Sequence, residues 1–370
     1  IDRSVLSMRA RAFSILTLEA VKLAKKRHFN NLSGFVNGVL RNISRQLADM
    51  KLPDDYNVRY SMPQEVVDIL KESFDDVTTA KILDSFLKER SISAVVNTVK
   101  TDKNSLVKRL TEQGITVKDA PYVENAILIS GFNYLDDIPE FNEGMFQIQD
   151  ISSMTAGLIA APCKDSRIID VCAAPGGKSI FAAISMCGTG CVISRDVSDR
   201  KTEQIRENAD RLGLENVIVQ TVDAAEHIVQ DEESADIVLA DLPCSGIGII
   251  GRKPDIKYNV SKEKVSGIVT LQRKILDSVC SYVKQGGYIV YSTCTLNYNE
   301  NEANVRYIAD KGFVPEDITD LLPEALFEDA KKAGKDIYDK LVNDAKGGML
   351  TLIPGVYECD GFFVAKLKRK

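Results

Sequence analysis

Apolar positions near the start of the chain recur at spacings of three and four: Val5, Met8, Phe13, Leu16, Leu18 and Val21, then Phe35, Val36, Val39, Leu40, Ile43 and Leu47. That period predicts amphipathic helices over residues 2–48 and no strand. Pro53 breaks the chain, Pro63 with Gln64 and Glu65 opens a helix to about Lys71, and another runs through Ile82, Leu83, Phe86 and Leu87. From residue 91 the period changes. Ile92, Ala94, Val95, Val96 and Val99 form a β-branched run, a helix over 106–113 stops at Gly114, and 115–117 and 126–129 read as strands. From about residue 145, short apolar runs at 167–171, 190–195, 217–221, 235–240 and 287–291 alternate with helical segments, notably 199–212 and 261–284. Such alternation predicts a parallel sheet covered on both faces, with ligands outside the carboxyl ends of its strands.

The expected division is therefore a helical region at 1–50, a small α+β domain at 51–140 and an α/β domain at 141–370. The charged helical stretch 320–346 reads as a surface insertion. Internal repeats and low-complexity tracts are absent from the sequence.

Length changes little in this picture, because 370 residues suit roughly two or three domains. No uncharged apolar run reaches the roughly 18 residues of a membrane span, and no signal peptide is visible, so a cytoplasmic protein is expected. The chain begins at Ile1 and not at Met, from which a missing N-terminal part is expected. Charge adds more. The net charge of −6 argues against a nucleic-acid partner, yet residues 1–50 hold nine Lys and Arg against three acids. A basic end on an acidic body keeps nucleic acid open. The eight cysteines are scattered, with only Cys187 and Cys191 close together and His28 and His227 far from both. Reduced thiols and no metal site are expected.

The candidate chemistry sits at the predicted strand ends. Asp170-Val171-Cys172-Ala173-Ala174-Pro175-Gly176-Gly177-Lys178-Ser179 is a small-residue turn from strand to helix, where backbone can approach a ligand. A phosphate-cradling Walker loop would need Gly where Cys172 stands, and G-x-G-x-x-G is absent. A ligand without a phosphate chain, such as S-adenosylmethionine, fits better. Asp196 ends the second strand, where its carboxylate can accept from a ribose diol, and Asp223 follows the third and could meet an adenine amine. An acid at a strand end is also an ordinary cap or turn former. Asp241 ends the fourth strand and makes three in series.

Cys244 follows the fourth strand and Cys294 the fifth, so two thiols are expected to face one crevice. Cys163, Cys187, Cys280 and Cys359 read as small hydrophobes, and Cys172 as a packing residue that lends its backbone to the ligand. Cytosine chemistry uses two thiols well. A thiolate added to carbon 6 makes carbon 5 nucleophilic towards a methylsulfonium, and a second group then assists loss of the C5 proton and of the thiol.

On these residues the chain resembles the RNA (cytosine-5)-methyltransferases of the Sun/RsmB/Fmu type, which modify small-subunit ribosomal RNA. Phe146-Gln147-Ile148-Gln149-Asp150, the turn from Asp170 onward, Asp241-Leu242-Pro243-Cys244-Ser245-Gly246 and Lys253-Pro254-Asp255-Ile256-Lys257-Tyr258 match in order. So do Tyr291-Ser292-Thr293-Cys294-Thr295 with Glu300-Asn301-Glu302, and Pro354-Gly355 with Asp360-Gly361-Phe362-Phe363-Val364-Ala365. Phe35-Val36-Asn37-Gly38-Val39-Leu40-Arg41-Asn42 resembles the last helices of a NusB-like RNA-binding domain, here partial, and 97–110 the family's small middle domain.

The resemblance implies a Rossmann-like, mostly parallel seven-stranded methyltransferase domain using S-adenosylmethionine to make 5-methylcytosine in 16S ribosomal RNA. It implies Cys294 as nucleophile, Cys244 as the thiol assisting release, Asp241 at the cytosine edge beside the methionine part of the cofactor, and Lys178 lining the site. Cys172, Ala173, Ala174, Pro175, Gly176, Gly177 and Lys178, with Asp196, Asp223 and Asp241, would hold the cofactor. In DNA cytosine-5 methyltransferases the nucleophile is instead the Cys of a Pro-Cys pair, which here is Cys244. Other RNAs, tRNA included, and a non-catalytic RNA-binding or ribosome-assembly factor are the alternatives. An amino-methyltransferase is disfavoured, because Asp241-Leu242-Pro243-Cys244 lacks the aromatic that holds an amine. The target base would have to leave its stack, which favours single-stranded or loop RNA.

Overall fold

The computed structural model describes residues 16–46 and 54–370, and the chain divides into two compact units between Arg59 and Tyr60. In the first unit a helix runs through residues 16–26, and after a 3₁₀ turn at Asn30–Leu32 a second covers Ser33–Gln46. Phe35, Val39 and Ile43 mark the apolar stripe that the spacing predicts, yet this helix buries none of its residues. Lys25, Lys26 and Arg27 are exposed. Val5, Met8, Phe13 and Leu47 lie outside the described residues.

The second unit carries two sheets. The smaller is antiparallel and contains β1 (Ile92–Val96), β2 (Thr116–Asp119), β3 (Ala126–Ser130) and β4 (Phe146–Ile148), in the order β2-β3-β1-β4. The helix Lys103–Glu112 buries Leu106 and Leu110 against Ala94, Val96, Ile127, Ile129 and Phe146. Asp102 caps that helix by accepting from the Ser105 backbone N–H at 2.9 Å. β4 lies beyond residue 140, because Phe146-Gln147-Ile148 pairs with Ala94, Val95 and Val96 of β1.

The larger sheet contains β5 (Arg167–Asp170), β6 (Cys191–Asp196), β7 (Val217–Thr221), β8 (Ala235–Asp241), β9 (Val283–Thr293), β10 (Phe313–Pro315), β11 (Met349–Leu352) and β12 (Phe362–Arg369). Seven strands follow one hydrogen-bonded path, β10-β12-β9-β8-β5-β6-β7, and β11 pairs with β12 beside it. β5 to β9 are mutually parallel, while β10, β11 and β12 run antiparallel to their partners. Between β5 and β8 the winding reverses, which opens a crevice at their carboxyl ends. Ile169, Val238, Leu276, Ile289 and Phe363 lie in the core of this sheet.

Its helices follow the expected period. In Asp199–Leu212, Thr202, Ile205, Ala209 and Leu212 are buried, and Gly213 ends the helix in the left-handed region at φ +68°. The stretch 320–346 forms helices Glu324–Ala333 and Lys335–Lys346, which bury Leu326, Ala330, Leu341 and Ala345. Asp329 in the first accepts from Tyr122 Oη at 2.6 Å, so the insertion is tied to the loop before β3. Among the described residues, no helix is long and apolar enough to cross a membrane.

Candidate active site

β5 ends at Asp170, and the chain turns into the helix Gly177–Ser185 at the reversal point. Gly176 caps that helix at φ +106°, a conformation that L side chains rarely adopt, and a Cβ there would come within 3.3 Å of Ile205. Below the turn, Ser179 donates to Asp170 at 2.7 Å and Ser194 donates to Ser179 at 2.6 Å. Burial pushes the Asp170 carboxyl up to about 7 against these bonds, and its Oδ1 has no partner. At the end of β6, Asp196 accepts from the backbone N–H of Ala174 at 3.1 Å and of Val197 at 2.8 Å, and from Lys201 Nζ at 2.9 Å.

The turn opens on a cavity of about 610 Å³. Cys172, Ala173, Ala174, Pro175, Gly177 and Lys178 line it, together with Asp241 and Cys294. The small sheet contributes Ile92, and Phe132 and Leu135 come from the chain after β3. Gly176 and Asp196 support the turn from outside this wall. Asp223 stands apart: it is exposed, follows the edge strand β7 and accepts from the Ala225 backbone N–H at 2.9 Å, the geometry of a turn former.

Register brings the remaining groups together. Asp241 pairs with Ser292 in the β8–β9 ladder, and the Ser292 hydroxyl donates to Asp241 Oδ1 at 2.8 Å. Lys178 Nζ donates to Asp241 Oδ2 at 2.6 Å and to Ser153 Oγ at 3.1 Å, and lies 5.0 Å from the centre of the Phe362 ring. Just beyond the two strand ends, Cys244 Sγ and Cys294 Sγ are 3.3 Å apart. The Cys244 thiol is pushed well above its ordinary value, first by its bond to Cys294, then by burial and nearby negative charge. Burial likewise raises Cys172, with Asp170, Asp196 and Asp241 adding to it, which suits a packing residue.

Cys244 also lines an adjoining cavity of about 560 Å³ with Lys253 and Lys264, and Arg252 and Lys253 border both cavities. Sequence patterns left several groups here without a role. Arg252 bridges Asp150, at 2.7 Å, and Asp360. Burial raises Asp360 to about 6 with Asp150 adding to it, whereas Ser152 and Arg252 overcome burial and hold Asp150 below its ordinary value. Asp150, Glu300 and Asp360 fall within matched motifs, whereas Arg252 precedes its motif by one residue and carried no signal.

The residues present fit S-adenosylmethionine. The turn presents backbone and small side chains, and the Asp241 carboxylate complements a sulfonium. Among the described residues, no group of three or more His, Cys, Asp and Glu could hold a metal ion.

A family model described as "16S rRNA methyltransferase RsmB/F" matches residues 157–368, and one for the NusB family matches residues 7–45. The chain is 32% identical over 363 residues to "Probable ribosomal RNA small subunit methyltransferase B" of Bacillus subtilis, covering 95% of this chain and 77% of that protein. It is 34% identical over 281 residues to "Ribosomal RNA small subunit methyltransferase F" of Escherichia coli, covering 74% and 56% respectively. A solved methyltransferase homolog protein from Pyrococcus horikoshii superposes with a TM-score of 0.68 at 26% identity, covering 85% of this chain and 98% of that one.

Proposed function

Because this chain belongs to the RsmB/F family of 16S rRNA methyltransferases and takes its methyl group from S-adenosylmethionine, we propose that it methylates carbon 5 of a cytosine in 16S ribosomal RNA, with Cys294 as covalent catalyst. The observation that carries this reading is the thiol pair, 3.3 Å apart beside the Asp241–Lys178 ion pair. A nitrogen acceptor would leave both sulfurs without work.

Cys294 takes the addition because it lines the same cavity as the cofactor turn, whereas Cys244 lines the adjoining one. Cys294 loses its proton to solvent, its sulfur bonds to carbon 6, and the electrons of the C5–C6 double bond make carbon 5 nucleophilic. Bound S-adenosylmethionine supplies an electrophilic methyl group. Asp241, fixed by Lys178 and Ser292, accepts from the cytosine amine and sets the ring between sulfur and methyl donor. In release, Cys244 takes the C5 proton and passes its own proton to the departing Cys294 sulfur, which restores the C5–C6 double bond.

The adjoining cavity supports RNA as the acceptor, since Lys253 and Lys264 supply charge for a backbone next to an unstacked base. The basic NusB-like unit supplies further sequence-independent attraction. The test is to incubate the protein with transcribed 16S ribosomal RNA and labelled S-adenosylmethionine, then digest the RNA to nucleosides. Label should appear in 5-methylcytidine. Label only in another nucleoside, or RNA binding without transfer, would overturn the proposal.

A further inference from the structure

Each cysteine of the pair is held through the residues on either side of it. Ser245 follows Cys244, and Glu300 accepts from its backbone N–H at 2.7 Å and from its hydroxyl at 2.6 Å. Pro243 precedes Cys244, and its carbonyl accepts from Gln272 Nε2 at 2.8 Å. Thr293 precedes Cys294 and donates to Asn301 Oδ1 at 2.5 Å, while the carbonyl of Thr295, which follows it, accepts from Asn301 Nδ2 at 3.0 Å. Ser245 Oγ and Thr295 Oγ1 lie 2.7 Å apart. Because the single Ser245 proton goes to Glu300, Thr295 is the donor in that contact. One chain of bonds therefore runs from Glu300 through Ser245 to Thr295 and joins the two cysteine loops.

The chain is anchored deeply. Glu300, Asn301, Gln272 and Asn304 are buried, and Asn304 donates to Gln272 Oε1 at 2.8 Å and to Tyr291 Oη at 3.0 Å. None of these four lines either cavity. A buried carboxylate is costly unless it is bonded, so its retention between the loops needs an explanation.

We propose that Glu300, Ser245 and Thr295 are positioning residues that hold the two sulfurs at proton-relay distance. The inference rests on the thiol roles assigned above. Their separation matters most in release, when one sulfur must pass a proton to the other, and a displacement of about 1 Å can cost about a hundredfold in rate.

Thr295→Val removes the bridging hydroxyl at almost constant shape, Thr295→Ser restores it, and Glu300→Gln weakens the anchor. Three readouts separate positioning from folding: KM for RNA and cofactor, turnover with accumulation of covalent protein–RNA species, and thiol crosslinking by diamide. Diamide takes two electrons and two protons as the two sulfurs join, so its rate reports their spacing. Thr295→Val should leave both KM values within about twofold, slow turnover about tenfold or more, accumulate adduct and slow crosslinking, with Thr295→Ser close to wild type. Glu300→Gln should go at least as far, and Thr295→Val keeps the test decisive if that variant does not fold. Wild-type turnover, release and crosslinking in Thr295→Val would overturn the proposal. If the wild-type enzyme itself formed no adduct and no 5-methylcytidine, the thiol roles would fall first, and the clasp with them.

Discussion

The two halves of the sheet's carboxyl edge are built on opposite plans. At β5 and β6 the site is mostly backbone: a turn of small residues, with Asp170 and Asp196 bracing it from behind. At β8 and β9 it is side chains, with Asp241 bonded to Ser292 and the two thiols in contact with each other beyond the neighbouring strand ends. The first half needs close approach and tolerates little added bulk. The second needs fixed distances between atoms on segments about fifty residues apart in the chain, such as Ser245 and Glu300. Binding and chemistry are therefore expected to fail separately.

The largest effect is expected in the thiol half. Cys294→Ala should lose methylation to below detection while binding S-adenosylmethionine as wild type does, by calorimetry. Equal loss of binding would mean that the halves are not separable. Gly176→Ala probes the other half, because a side chain at φ +106° adds strain of about 1–2 kcal/mol. Up to about tenfold weaker cofactor binding should follow, with unchanged diamide crosslinking.

A third measurement tests the brace under the turn. With its carboxyl raised from 3.8 to about 7, Asp170 binds a proton in the folded state that the unfolded chain has already lost over that range. Its contribution is intact below about pH 4 and is lost as pH rises through about 7, at up to about 1.4 kcal/mol per pH unit. Asp170→Asn should therefore gain stability relative to wild type between these limits in thermal melts. Parallel curves would contradict a raised Asp170. The smallest effect concerns neither half: neutralising Lys25, Lys26 and Arg27 should lower the salt slope of RNA binding by about two and leave cofactor affinity unchanged. An unaltered slope would make the cluster an ordinary solvated surface.

The contrast between the halves also explains what the sequence disclosed. The cofactor turn is contiguous, so Gly176, Gly177 and the small residues before them mark it without any tertiary information. The five parallel strands were legible as apolar runs. β10 is only three residues long, and β12 carries Lys366 and Lys368, so neither shows the same pattern. Lys366 is nonetheless buried, donating to the Ala160 carbonyl at 3.3 Å. Asp241, Cys244 and Cys294 could be singled out because the first ends a strand and the other two follow one, but their meeting depends on β8 and β9 being neighbours. Glu300, Asp150 and Asp360 lie in matched motifs, but the bonds they make to Ser245 and Arg252 had no local signal, since those partners lie far away in sequence. Asp223 was legible by its spacing too, and it follows the edge strand β7, where it accepts from the Ala225 N–H.

The central claim is that Cys294 attacks and Cys244 releases. Its most direct test incubates Cys294→Ala and Cys244→Ala separately with 16S ribosomal RNA and S-adenosylmethionine, and counts covalent protein–RNA species on a denaturing gel. Cys244→Ala should accumulate the adduct and Cys294→Ala should show none. An adduct with Cys294→Ala and none with Cys244→Ala would contradict the account and make Cys244 the nucleophile.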